Sequence, residues 1–303
     1  MIDYRKIIKS KNFRIKLLST LSWVPDKIIV TLQYFIQTGK ILHLNSPRSF
    51  NEKLQAYKLY YRNPEMLRCT DKLEVRKYVE EKGLGSILVP LLGIYEDVSD
   101  INFDKLPNCF VIKTTDGGGG SQIYICREKQ GENKNEVKKK IKEWMEMPKP
   151  KKHIGREWAY DNGFKRRILI EELLKDNNSS NKDIIDYKFF CFNGKFKCLW
   201  IDKDRYINHK RGFWDENLRY IPEVECLYPP LKDFRLPENI NVMIQYAEKL
   251  SKEFPFVRVD LYNLNGNIYF SELTFYPNSG YIPYNPNSFD IKLGSYFNFD
   301  LCK

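Results

Sequence analysis

Histidine is nearly absent from this chain, with three in 303 residues, and the seven cysteines form no C-x-x-C pair. That poverty excludes a zinc finger or a disulfide-stapled scaffold and points to a reducing compartment. No run approaches the ~18 uninterrupted apolar residues of a membrane-spanning helix. No leader with a small-residue cleavage site is visible either, so a cytoplasmic protein is expected. The G-x-x-x-x-G-K-[ST] phosphate loop is missing. So is any nucleic-acid recognition motif, and no nucleic-acid partner is expected.

Positive charge and aromatic rings are what the chain has in quantity: a net charge of +11, 20 Tyr and 19 Phe. The rings argue for a folded core. The charge argues for anionic partners such as nucleotides, phosphates, acidic glycans or lipid headgroups. Much of it lies in "KKKIKEWMEMPKPKK", residues 138–152, which reads as a solvated helix face and loop. Residues 1–44 alternate basic and apolar side chains in helical fashion. Such helices either pack on the main body or lie on a membrane surface.

Further along, "SPRSFNEKLQAYKLYYR" predicts a helix capped by Ser49 or Asn51, and "TDKLEVRKYVEEKG" a second, capped by Thr70 and stopped by Gly83. Strands are expected in "ILVPLLGIYED", "CFVIK" and "RRILIEELL", with a charged helix over 134–146 and an Asn/Ser-rich loop over 176–181. A hairpin, "DYKFFCFNGKFKCLWID", and a helix, "NVMIQYAEKLSKEF", lead into a second hairpin, "FVRVDLYNLNGNIYFSELTF". Helices and strands mix without βαβ alternation, which predicts an α+β fold with largely antiparallel sheets.

The last hairpin carries one acid on each strand, Asp260 and Glu272, among apolar neighbours. A two-residue Asn265-Gly266 turn would pair Asp260 with Ser271 and send the acids to opposite faces. A three-residue loop, Leu264 to Gly266, keeps them on one face, as the apolar alternation demands, and is the expectation here. Two carboxylates beside Arg258 are either a structural ion-pair cluster or a seat for Mg²⁺, which takes one or two carboxylates and completes its shell with water and phosphate oxygens.

In "CFVIKTTDGGGGSQIYI", a strand ending at Lys113 runs into Gly117, Gly118, Gly119 and Gly120. Four glycines are entropically costly for a mere turn, and they let backbone amides approach phosphate. Lys188 alternates with apolar residues on a hairpin and needs an anion. "DKDRYINHKRGF" gathers Arg205, His209, Lys210 and Arg211 just past a strand. Together these residues supply what ATP with Mg²⁺ would need between two sheets.

With these motifs the chain resembles the TupA-like group of ATP-grasp proteins, associated with teichuronopeptide and other bacterial surface-polysaccharide synthesis. The resemblance spans roughly residues 46–296 and rests on "SFNEKLQ", "DKLEVRKYV", "VPLLGIYED", "LPNCFVIK", "GREWAY", "DYKFFCFNGK", "DRYINHKRGF", "FPFVRVDLYNLNGNIYFSELTF" and "KLG". It implies an N-terminal helical region (1–44), a first subdomain with the glycine loop (45–165) and a second with the metal hairpin (166–303), gripping ATP. The implied chemistry is carboxylate–amine ligation through an acyl phosphate. The carboxylate would be of uronic-acid type, in a capsule or similar precursor.

The resemblance further implies that Lys72 and Lys113 hold the α/β-phosphates and that Gly117 to Gly120 close over β/γ. Glu171, Glu172 and Leu173 would bind adenine and ribose, and Lys188 the nucleotide or γ-phosphate. Asp260 and Glu272 would bind Mg²⁺. Arg205, His209, Lys210, Arg211 and Arg258 would face the acceptor carboxylate and the transferring phosphoryl. The chain departs from the pattern in two places. Thr115-Asp116 stands where an Asn-His pair is usual, which puts an acid beside phosphate. Glu272-Leu273-Thr274 replaces Glu-x-Asn, leaving Thr274 or Asn278 to complete the metal shell.

Two other functions compete. Asp202-Lys203-Asp204 is a D-x-D of the kind that holds metal and nucleotide sugar in glycosyltransferases. The basic surface would equally suit a non-catalytic glycan- or nucleic-acid-binding protein.

Overall fold

The computed structural model describes residues 20–118, 122–149, 152–161, 163–175, 184–205 and 207–299. Gly119, Gly120, residues 1–19 and the Asn/Ser-rich stretch 176–181 lie outside the described residues.

Helix α1 (Asp26–Thr38) ends at Gly39 in the left-handed conformation. Helix α2 (Phe50–Tyr60) starts where expected, and Ser49 is its cap: its hydroxyl accepts from Glu52 N–H while the Glu52 carboxylate accepts from Ser49 N–H. Asn51, the alternative cap, instead holds Asp290 through its backbone and side-chain N–H groups. Helix α3 (Pro64–Thr70) includes Thr70 as its last residue. The carboxylate of Asp71, not Thr70, accepts from Leu73 N–H and Glu74 N–H at the start of α4 (Glu74–Glu81). Gly83, with φ +65°, lies just beyond the end of α4, as read from the sequence.

The first sheet is antiparallel in the order β1-β4-β2-β3. Its strands are β1 (Leu91–Tyr95), β2 (Phe110–Thr114), β3 (Ile123–Cys126) and β4 (Ile168–Glu172). One face presents Phe110, Ile112, Ile168 and Ile170 to Val137, Ile141 and Trp144 of helix α5 (Lys134–Glu146). Strand alternation turns Lys113, Leu169 and Glu171 to the other face. The anticipated break at 165/166 assigns β4 to the second subdomain, yet its hydrogen bonds run to β1 and β2. The backbone groups of a central strand are satisfied only inside its sheet, so pairing decides where β4 sits.

The second sheet has the order β7-β6-β5-β8-β9. It comprises β5 (Asp186–Phe192), β6 (Lys195–Lys203), β7 (Lys210–Asp215), β8 (Phe256–Leu264) and β9 (Asn267–Thr274). Helix α6 (Ile240–Ser251) covers one face with Met243, Ala247 and Leu250. On the other face Phe50 of α2 meets the rings of Phe190, Phe192 and Phe256 at 4.8–5.9 Å between centroids. Burying such a ring stabilises by roughly 2–3 kcal/mol, and it ties α2 to the second sheet rather than the first. Helix α7 (Asn287–Tyr296) crosses the start of α2 at Gly294, where a Cβ would lie 2.1 Å from Arg48 O; only glycine admits that approach.

Two hairpins of this sheet, β5–β6 and β8–β9, turn on Asn-Gly with positive φ at both residues, Asn193-Gly194 and Asn265-Gly266. Phe192 pairs with Lys195 and Leu264 with Asn267, so each loop has two residues, of type I′. The expected three-residue loop at 264–266 is therefore incorrect. Register is restored farther along, because Asp260 pairs with Glu272 while Leu261 pairs with Phe270. Ser271 is left over as a β-bulge, and that bulge puts the two acids on one face.

Candidate active site

Above the aromatic end of the second sheet, its inner face turns polar. Cross-strand partners share a face, so the pairs Lys188–Asp260, Asp260–Glu272, Asp186–Asp202 and Asp202–Arg211 bring six charged groups together. Arg258 and Thr274, paired one step along, join them.

Contacts among these groups are close. Arg258 donates to both carboxylate oxygens of Asp260, at 2.7 and 2.6 Å, and its Nη2 also reaches Glu272 (3.3 Å) and Thr274 Oγ1 (3.0 Å). The Thr274 hydroxyl in turn donates to Glu272 at 2.9 Å. Lys188 Nζ stands 3.0 Å from Asp186, 3.6 Å from Asp202 and 3.7 Å from Asp260. Arg211 forks onto Asp202 at 2.7 and 3.2 Å, and its guanidinium lies 3.7 Å from the centre of the Trp200 ring. His209 Nε2 lies 2.9 Å from Asp202 without hydrogen-bond alignment, and the imidazole stacks on Tyr228. Arg205, nearer solvent, pairs with Asp186.

Electrostatics differ sharply between the acids. Burial pushes the Asp260 carboxyl up to about 6; Arg258 and Lys188 pull against that rise and Glu272 adds to it. Burial acts the same way on Asp202, and the crowding of neighbouring protein atoms does so on the more open Glu272, but cations win at both. Arg211 and Lys188 hold Asp202 low, while Arg258, Lys188 and Lys72 do so for Glu272. The Glu272 side chain is 55% exposed, so of the pair it is the acid that opens to the cleft.

Across the cleft stand two lysines, Lys113 on β2 and Lys72 in the turn between α3 and α4. Lys72 is pinned by its N–H to Thr115 O (2.9 Å) and by its ammonium to Gly117 O. Burial lowers its affinity for a proton, and Glu272 of the opposite sheet pulls the other way. Lys113 pairs with Glu171 at 2.6 Å, and Arg76 pairs with the second oxygen of Glu171 at 3.1 Å. Asp116, the acid at the foot of the glycine loop, is neutralised: Arg166 Nε donates to both its oxygens at 2.9 Å, with Lys149 3.2 Å away.

Several residues singled out from the sequence stand elsewhere. Glu172 is exposed on the strand face opposite buried Glu171, with half-buried Leu173 just after it. Lys210 alternates to the sheet face opposite Arg211. Asn278 is exposed in the turn after β9, with φ +47°, and no hydrogen bond joins it to Asp260 or Glu272. In the D-x-D, Asp202 is sealed in its ion-pair cluster, while Asp204 sits past the strand with φ +54°. The two do not form a metal fork.

For Mg²⁺ the donor set fits. Two hard carboxylates face each other across one strand pair with a hydroxyl beside them. Among the described residues no group of three or more His, Cys, Asp or Glu is placed to hold a metal by itself. A cation here would therefore depend on phosphate oxygens, which is how Mg²⁺ is ordinarily held beside nucleotides.

Sequence reading missed Asp186, Trp200, Arg76 and Arg166. Asp186 was within reach, since it alternates with Lys188 on one strand face. The contacts Arg76–Glu171 and Arg166–Asp116 join positions 95 and 50 apart, and no local pattern announces them.

No curated protein matches the chain. Among solved structures it is similar to D-alanine–D-alanine ligase from Bacillus anthracis, at 18% identity and TM-score 0.40, over 69% of this chain and 57% of that one. It is also similar to an L-amino acid ligase from Bacillus licheniformis, at 12% identity and TM-score 0.46, over 84% and 55%. The chain thus spans little more than half the length of either enzyme. The TupA-like ATP-grasp model matches residues 52–298. A match of that extent takes in both sheets and every side chain of the cleft, and the chain belongs to the TupA-like ATP-grasp family.

Proposed function

We propose that this protein is an ATP-dependent carboxylate–amine ligase, making an amide bond through an acyl phosphate. The observation that carries the reading is that Lys72, in the turn before α4, stands beside Lys113 of the first sheet and opposite Glu272, the partner of Asp260, on the second. Cations for phosphates and acids for a metal meet across one cleft. Lys72, Lys113 and the loop from Gly117 to Gly120 would hold the phosphates. Glu172 and Leu173, at the end of β4, would line the base, with Glu171 holding Lys113 in place. Asp260 and Glu272, with Thr274 beside them, would hold Mg²⁺, which offsets charge on the phosphoryl oxygens when bound.

In the reaction an acceptor carboxylate oxygen attacks the γ-phosphorus and ADP leaves. An amine then attacks the acyl carbon, and phosphate leaves with its bonding electron pair. Lys188 and Arg258 line the path of the phosphoryl group, and Arg205 and His209 the side from which the acceptor carboxylate would enter. Arg211, locked between Asp202 and Trp200, serves as a positioning residue. Alignment of the reactants, rather than a protein nucleophile, carries the catalysis.

The acceptor is a uronic-acid-type carboxylate in a capsule or other surface-polysaccharide precursor, and the donor an amino acid or amine. The protein works in the cytoplasm, at the inner face of the membrane. A thermal-shift panel tests the nucleotide: ATP with Mg²⁺ stabilises the wild type but neither Lys113→Ala nor Asp260→Asn. Stabilisation by UDP-sugars and not by ATP defeats the reading. An ADP-release screen of uronic acids crossed with amino acids then names the substrates.

A further inference from the structure

Helix α1 is apolar on both sides. Val30 and Tyr34 face inward and pack with Leu42, Leu44 and Ala56, and Ile29 is buried beside them in the helix. On the outside Ile28, Leu32 and Phe35 are 57%, 51% and 56% exposed, and Trp23 and Ile41 at the two ends are 80% and 70% exposed. Spacings of four and three residues put Ile28, Leu32 and Phe35 in one stripe. A soluble surface rarely leaves so many large apolar side chains together without an occupant.

We infer that this outer face of α1 docks on an anionic phospholipid bilayer, which deepens the membrane-face placement proposed above. Charge selects the occupant. Lys27 and Lys40 are exposed beside the stripe. Asp26, the sole acid among residues 20–44, is turned to Arg156 (3.2 Å) and Lys152 (3.0 Å). Residues 1–19 carry six Lys and Arg against one Asp, interleaved with Ile, Leu and Phe. A second copy of this chain, itself at +11, would bring the same positive charge to the contact. Anionic headgroups complement it, and Trp23 has the amphipathic ring that favours the headgroup level.

The inner side of α1 reaches toward the cleft. Gln33 donates to Ile154 O (3.0 Å) and accepts from the Tyr281 hydroxyl (3.2 Å), just after the turn that follows β9. A bilayer under α1 would thus lie one helix away from the loops flanking the site, where an acceptor precursor held at the membrane would be presented.

The test is co-sedimentation of the full chain with vesicles of phosphatidylglycerol and phosphatidylcholine, or of phosphatidylcholine alone. The expected result is binding to the anionic vesicles only, weakened by salt. Leu32→Asp with Phe35→Asp should weaken it about tenfold or more, and Lys27→Gln and Lys40→Gln about fivefold each. The ATP-dependent thermal shift should persist in these variants, which shows that they fold. Vesicle binding should persist in Lys113→Ala, so it stands or falls separately from the ligase reading. The inference is overturned if the wild type ignores anionic vesicles, or if the Leu32/Phe35 variant binds them equally well. It is also overturned if ultracentrifugation shows a dimer that this variant abolishes and vesicles go unbound.

Discussion

Asp260 and Glu272 face each other across β8 and β9 because one residue between the turn and the acids, Ser271, is left out of the pairing. A type I′ turn at Asn265-Gly266 fixes the near end of the hairpin, and the bulge shifts the far end by one. The metal-type seat therefore depends on two backbone devices at separate points of the same hairpin.

Gly266 is the first place to test this dependence. Its φ is +84° and a Cβ would meet nothing within 4 Å, so substitution acts through conformation alone. Gly266→Ala should cost roughly 1 kcal/mol, read as a lower urea midpoint with an unchanged slope.

Arg258 is buried and holds Asp260, Glu272 and Thr274 together. Removing one partner of a buried pair leaves the other unneutralised, so Arg258→Met should destabilise by about 3 kcal/mol in urea unfolding. Arg258→Lys, which keeps the charge but not the fork, should recover only part of the loss.

Asp260 should give stability a distinctive pH dependence. Its native carboxyl is pushed up to about 6, chiefly by burial, whereas an unfolded aspartate titrates near ~4. Between these values the native state binds a proton that the unfolded state has lost. This group's contribution is therefore full below pH ~4 and declines as pH rises toward 6. Unfolding of wild type and Asp260→Asn, compared at each pH, should show the wild type losing at most ~3 kcal/mol relative to the variant across that window. A flat difference would refute the assignment. Affinity for ATP with Mg²⁺ should fall in the same window as pH is lowered, because a protonated Asp260 is a poor metal ligand.

Asp116 lies at the foot of the glycine loop, where a bare carboxylate would repel phosphate. Arg166 cancels it. Arg166→Ala should weaken ATP binding about tenfold, the scale of a charge-assisted hydrogen bond. Adding Asp116→Asn in the same chain should restore most of the affinity, and calorimetry on the four chains would close the cycle.

Local signals in the sequence were enough for several of the helices and for the two Asn-Gly hairpins. Ser49 followed by Glu52 marks the start of α2, the 134–146 helix falls where its charged periodicity places it, and Asn-Gly marks the β5–β6 and β8–β9 hairpins. The errors were also local in kind. Thr70 and Asp71 are both residue types that cap well, and only the backbone path makes Asp71 the cap. In the last hairpin a three-residue loop and a bulge correct the register equally well in sequence, and the fold uses the bulge.

By itself the sequence determined the α+β class, the family and the identity of most charged groups, since these follow from periodicity, turn chemistry and ordered motifs. Only the tertiary structure decided how those charges are spent. It turned Glu171 to Lys113 and Arg76, cancelled Asp116 with Arg166, sealed Asp202 under Arg211, and left Glu272 as the acid open to the cleft. The reason is physical: a carboxylate's role is set by the cations and the burial around it, and those neighbours come from strands and loops far away in the chain.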